Sequence, residues 1–242
     1  MMKRIFVIGG IAILGTLGYL VFRSSHGTNY VDESAPRNSH GTTYVDDSAP
    51  RIIQAVQRGD SESVRQIINA DPAALMLKDS KGNSAAHWAI LDDHAEIAIY
   101  LIEKGYPINP ANSAECPLIM CCVSRYTPGS QTLMKYLIDH GANVNVLYEP
   151  EGWLPLNLAV NNGMEDKVRL LVKSGASLSA EDRSGLTPLE LAKQRVEQYK
   201  DPNYNLPHRE LNDPKVRQDA IDGWERMVKL ILRLAEEVKK GQ

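Results

Sequence analysis

Apolar residues are arranged along this chain in three successive patterns. From Ile5 to Phe22 there are eighteen residues without a charge, bounded by Lys3 and Arg4 before them and Arg23 after. Over residues 24–49 apolar positions give way to Ser, Thr, Gly, Pro and acids. From about Pro50 onward, short segments carry apolar residues three and four apart. Val168, Leu171 and Val172 are one such stripe, on one face of a helix that should stop at Gly175, the residue type favoured at a left-handed C-terminus. In the next segment Thr187 can cap a helix whose first turn holds Pro188, tolerated there because its missing N–H would have no intrahelical partner. Leu189 and Ala192 then share a face. Each unit is predicted to be a pair of short helices with one apolar side left over, stable only when stacked on the next pair.

The units repeat with a period of 32 to 38 residues. They open with Asp79-Ser-Lys-Gly82-Asn-Ser-Ala-Ala-His87, Glu115-Cys-Pro117-Leu118, Gly152-Trp-Leu-Pro155-Leu156 and Asp182-Arg-Ser-Gly185-Leu-Thr187-Pro188-Leu189. They close with Tyr100-Leu101-Ile102-Glu-Lys-Gly105, Tyr136-Leu137-Ile138-Asp-His-Gly141-Ala-Asn-Val-Asn145 and Leu170-Leu171-Val172-Lys-Ser-Gly175. These fragments resemble the ankyrin-repeat family over roughly Pro50 to Lys240. The resemblance implies an all-α solenoid of about five helix-pair repeats, caps included, over residues 50–240. Gly59-Asp60 with Val64, Ile67 and Ile68 fits an N-terminal cap. At the other end an insertion at 198–213 precedes a helix starting at Asp213-Pro214, with Trp224, Val228, Ile231 and Leu232 as its expected buried face. A second departure, Tyr126 to Ser130, lengthens the turn inside the third repeat.

As a helix, the uncharged run would be roughly 27 Å long at 1.5 Å per residue, about the shortest that spans a bilayer. Residues 1–23 are therefore expected to be a signal anchor or a cleaved signal peptide. Tyr19, Leu20, Val21 and Phe22 are bulky where a cleavage site has small residues, which favours the retained anchor. Lys3 and Arg4 hold the N-terminal side in the cytosol, and placing the remainder across a bacterial inner membrane puts the repeats in the periplasm. Cleavage would leave them soluble in the periplasm. The stretch SHGTNYVDESAPRN at 25–38 returns as SHGTTYVDDSAPR at 39–51, a tandem duplication that reads as a flexible spacer within residues 24–49.

A net charge of −3 and pI near 6.1 lack the clustered Lys and Arg that a polyanion requires, so nucleic acid is not an expected partner. Cys116, Cys121 and Cys122 have neither disulfide-framework nor zinc-ligand spacing, and the vicinal pair Cys121-Cys122 reads as packing. Asp201, Asn203 and Asn205 open like a calcium loop, but Leu206 and Asn212 stand where such a loop needs Gly and Glu. No hydrolase, metalloprotease or phosphate-loop motif occurs. The chain is read as no enzyme, with no cofactor and no metal.

The family resemblance implies that partners are gripped by the turn tips and the inner helices. At the tips this places Lys81, Asn83, Glu115, Glu149, Glu151, Trp153, Arg183 and Leu186, and along the inner helices Leu91, Asp92, Asn161, Asn162 and Arg195. Trp153 follows the turn glycine, where the repeat does not require an aromatic, and so is the leading anchor candidate. Glu115, Glu149, Glu151, Glu181 and Asp182 would favour a partner with a basic surface. His87 is expected to tie neighbouring loops together. The chain resembles bacterial cell-envelope ankyrin proteins, and the function this implies is that of an immunity protein. It would bind and neutralise a toxic effector, such as a phospholipase, delivered by type VI secretion. The alternative is a periplasmic scaffold for envelope assembly or oxidative defence.

Overall fold

The computed structural model describes residues 5–8, 11–14, 48–109, 115–148, 152–201 and 213–241. Within them ten α-helices follow one another as five pairs: α1 (Arg51–Gln57) with α2 (Ser61–Ala70), α3 (Ala85–Leu91) with α4 (Ala95–Glu103), α5 (Leu118–Ser124) with α6 (Pro128–Asp139), α7 (Pro155–Asn161) with α8 (Glu165–Lys173), and α9 (Pro188–Lys200) with α10 (Pro214–Lys240). Most of the spacer, all but Ser48 and Ala49, and most of the 198–213 insertion lie outside the described residues, although Gln198 to Lys200 complete α9 and Asp213 caps α10.

The apolar run is described only at Ile5–Ile8 and Ile11–Leu14, which pair as antiparallel strands where a helix was expected. Both stretches are rich in Ile, whose β-branched side chain favours strands. Among the described residues no helix is long and apolar enough to cross a membrane.

The chain forms two compact units, 29–143 and 144–242 together with 1–28. In the first, α1, α3 and α5 pack in file and α4 packs on α6. Ala85, Ala86, Ala89, Ala98 and Cys122 are wholly buried, and their small side chains let backbones approach. Ile53, Leu101, Leu133 and Leu137 fill the space between the helix layers. In the second unit α7 packs on α9, and α10 on α8 and α9. Val168, Leu171 and Val172 are buried as the periodicity predicts. On α10 the buried face is Ala220, Ile221, Trp224, Met227, Leu230, Ile231 and Leu234. That corrects the expected face. Leu232 is 45% exposed, because it follows Ile231 by about 100° of helix turn and points away from α9.

Five of the ten helices, α2, α3, α6, α9 and α10, start on a side-chain cap. Ser84 and Thr187 both form capping boxes, answered three residues later by His87 and Glu190. The turns between paired helices use left-handed residues at equivalent positions: Gly59, Asp93 and Gly163 have φ of 69°, 62° and 68°. The turn inside the third repeat is not lengthened as expected: it has three residues like the others, with Thr127 capping α6 and Pro128 at its first position, and the extra residues extend α6 to 12 where α4 and α8 have 9.

Candidate functional site

Two of the turn tips are organised by a buried or half-buried carboxylate. Asp79 Oδ1 accepts from the N–H of Lys81 (2.9 Å) and of Asn83 (2.8 Å), while its Oδ2 accepts from Trp88 Nε1 at 2.8 Å. Asp182 Oδ1 accepts from the N–H of Ser184 at 2.8 Å and of Leu186 at 3.2 Å. Asp182 thus shapes its own tip, which leaves it poorly placed to contribute to an acidic face. Glu115 is also engaged, 3.0 Å from Lys78 Nζ. Glu149 and Glu151 lie outside the described residues.

Side-chain amides and one imidazole join successive repeats. His87 Nδ1 faces the N–H of Ser84 at 3.3 Å and its Nε2 lies 2.8 Å from the carbonyl of Cys116, fulfilling the loop-tying role expected of it. Burial pushes the His87 pKa below its ordinary value. Asn157 takes the same slot in the fourth repeat and donates to the carbonyl of Leu186 at 2.8 Å. Asn109 bridges Gly141 and Asn143, and Asn145 bridges Gly175 and Ser177, each by donating and accepting one bond. Sequence reasoning passed over Asn109 and Asn157. Their signal was the register itself: Asn109 and Asn145 both sit four residues beyond a unit-closing glycine, and Asn157 stands where the second repeat has His87.

The predicted surface residues divide by unit. Lys81 (exposed), Asn83, Leu91 and Asp92 (half-buried) belong to the first, with Leu91 ending α3 and Asp92 capping it. Trp153, Asn161, Asn162, Arg183, Leu186 and Arg195 belong to the second, where they form two groups. At the tips, Tyr148 and Trp153 pair across the turn through a 3.0 Å backbone bond, which leaves Trp153 half-buried. Arg183 N–H donates to the carbonyl of Gly152 at 3.0 Å. Its side chain lies so close that a Cβ added to Gly152 would clash with Arg183 Cβ.

The other group lies at the far end of α7, about 10 Å from Trp153 given seven residues of helix. There the Arg195 guanidinium donates through one terminal nitrogen to Asn161 Oδ1 and through the other to Gln198 Oε1 at 3.0 Å. Gln198 was not among the predicted residues. Asn162 is buried as the C-cap of α7, so its place is structural. Arg195 Nε is buried without an acceptor, and no carboxylate among the described residues pairs with this half-buried cation. An incoming carboxylate would find unused N–H donors on the two terminal nitrogens in the forked geometry that Arg offers to such groups.

A profile described as ankyrin repeats in three copies matches residues 52–148 and 127–200, together more than half of the chain. A protein of Danio rerio provisionally named as palmitoyltransferase ZDHHC13 is 31% identical over 143 residues, 58% of this chain and 21% of its own length. The human 2-5A-dependent ribonuclease is 43% identical over 60 residues, 25% of this chain and 8% of its own. Protein PhlB of Serratia liquefaciens is 29% identical over 147 residues, 58% of this chain and 60% of its own. In each case the chain spans less than two thirds of the relative.

Proposed function

The chain belongs to the ankyrin-repeat family, whose repeats are protein-binding modules and typically not enzymes, and from that premise we propose that it holds one specific protein partner at the bacterial cell envelope. The partner is a secreted toxic effector, such as a phospholipase delivered by type VI secretion, and binding neutralises it. The support for the envelope is in the sequence: an uncharged run behind Lys3 and Arg4, then a duplicated polar spacer able to hold the repeats away from a bilayer. Likeness to a bacterial protein adds to it, since the aligned stretch is 58% of this chain and 60% of PhlB, making the two nearly equal in length.

The observation that carries the binding reading is Arg195. Among the described residues this half-buried guanidinium is held by the neutral oxygens of Asn161 and Gln198 and by no carboxylate, and a partner carboxylate would complete it. Trp153 supplies an apolar anchor at the other end of the same inner helix, and basic groups of the partner would face Glu149 and Glu151. The test is capture from an envelope extract in mild detergent, followed by titration of the recovered partner. One partner in stoichiometric amount is expected, with affinity falling about tenfold or more, some 1.4 kcal/mol, for Arg195→Ala and for Trp153→Ala. Recovery of several sub-stoichiometric proteins, or unchanged affinity in both variants, would overturn the reading in favour of a scaffold.

A further inference from the structure

The sequence draws attention to Cys121-Cys122, but the structure pairs different sulfurs. Cys116 Sγ lies 3.4 Å from Cys121 Sγ, in direct contact, and no disulfide joins them. Both backbones are pinned, so this is more than a chance rotamer. The Cys116 carbonyl is held by His87 Nε2 at 2.8 Å. Pro117 follows as the N-cap of α5 with φ of −65°, and its carbonyl accepts from the N–H of Cys121 at 3.4 Å. The Cys121 carbonyl accepts in turn from Ser124 Oγ at 2.9 Å. Cys122 projects about 100° further round the helix and is wholly buried, away from the pair.

We propose that Cys116 and Cys121 form a reversible thiol pair, converted to an intramolecular disulfide by a low-molecular-weight disulfide such as oxidised glutathione. A side-chain rotation that brings the sulfurs from 3.4 Å to the ~2.0 Å of a covalent bond is the movement required. Half-buried Cys116 is reached first. Its thiolate attacks one sulfur of the oxidant, whose S–S bond breaks, and the departing glutathione thiolate takes up the proton Cys116 lost. The Cys121 thiolate then attacks Cys116 Sγ in the mixed disulfide and releases the second glutathione, which takes the second proton. Two protein thiols are oxidised, one glutathione disulfide is reduced to two thiols, and the balance closes. The ring spans only residues 116–121, so it acts locally: it fixes to α5 the residue next to Glu115, and with it the tip where Glu115 meets Lys78. The inference is independent of which partner binds.

The full chain is incubated with oxidised glutathione, quenched in acid, alkylated under denaturing conditions and weighed intact. Wild type should lose the mass of two hydrogens and take up label at Cys122 alone, and dithiothreitol should restore three labelled thiols. Cys122→Ser should keep the loss, whereas Cys116→Ser and Cys121→Ser should abolish it. Persistence of a glutathione adduct on Cys116 with no internal bond would overturn the proposal. So would a loss of two hydrogens that survives in Cys116→Ser, since the vicinal pair would then be responsible.

Discussion

His87 shows how one side chain carries both local and longer-range order. Its two ring nitrogens serve the cap of α3 and the loop entering α5, and the buried ring is held neutral. A histidine whose folded pKa lies below its unfolded one contributes fully above the unfolded value of ~6.5, and the contribution declines as pH falls from there toward the lower folded pKa. Half-buried His94, also shifted down by burial, acts with the same sign. The midpoint of urea unfolding should therefore fall between pH 7.5 and 5.5, and fall less steeply in His87→Asn, which borrows the residue of the fourth repeat. Equal slopes in the two proteins would refute the assignment. Position 87 was legible in the sequence because the motif reserves it. Arg195 was named there as one polar residue among many, because its pairing with Asn161 and Gln198, and with no carboxylate among the described residues, is a property of the assembled surface.

Among the elements, short helices depend on their ends. A seven-residue helix such as α3 or α7 leaves unbonded over its four-residue ends the backbone groups that a longer helix would largely satisfy internally, so caps weigh heavily. Thr187 accepts from the N–H of Glu190 and donates to its carboxylate at 2.6 Å, which holds the Glu190 carboxyl below its usual pKa. Thr187→Ala should cost about 0.5–2 kcal/mol in chemical unfolding, and Thr187→Ser should recover most of it. No recovery in the Ser variant would mean that the methyl group, not the hydroxyl, matters. These caps and the glycine stops were readable in advance, because they depend on neighbours three or four residues away. The face of α10 was not: an apolar residue at 232 fits the helical period nearly as well as one at 230 or 234.

Across the whole molecule, the last helix gives the repeats an ending. At 27 residues α10 is about twice as long as any other helix among the described residues, and it covers the apolar side of α9, including Val196 and Tyr199, that a further repeat would otherwise have to bury. Trp224, 3% exposed, is the largest residue in that cover. Trp224→Ala should destabilise the protein by about 3–5 kcal/mol, while Leu232→Ala should stay within about 0.5 kcal/mol of wild type. Similar losses at both positions would restore the face expected from the sequence.

The sequence by itself determined the repeat, its caps, its turns and the absence of familiar catalytic motifs, because each depends on residue types at short, fixed spacings. Tertiary structure alone decided that Asp182 and Asn162 are structural, that Glu115 is spent on Lys78, that Arg195 meets Asn161 from another repeat, and that Cys116 rather than Cys122 stands beside Cys121. The reason is geometric: Lys78 and Glu115, or Arg195 and Asn161, are more than thirty residues apart and share one volume only after the repeats have packed, while the contacts of Asp182 and Cys116 depend on how the intervening turn folds.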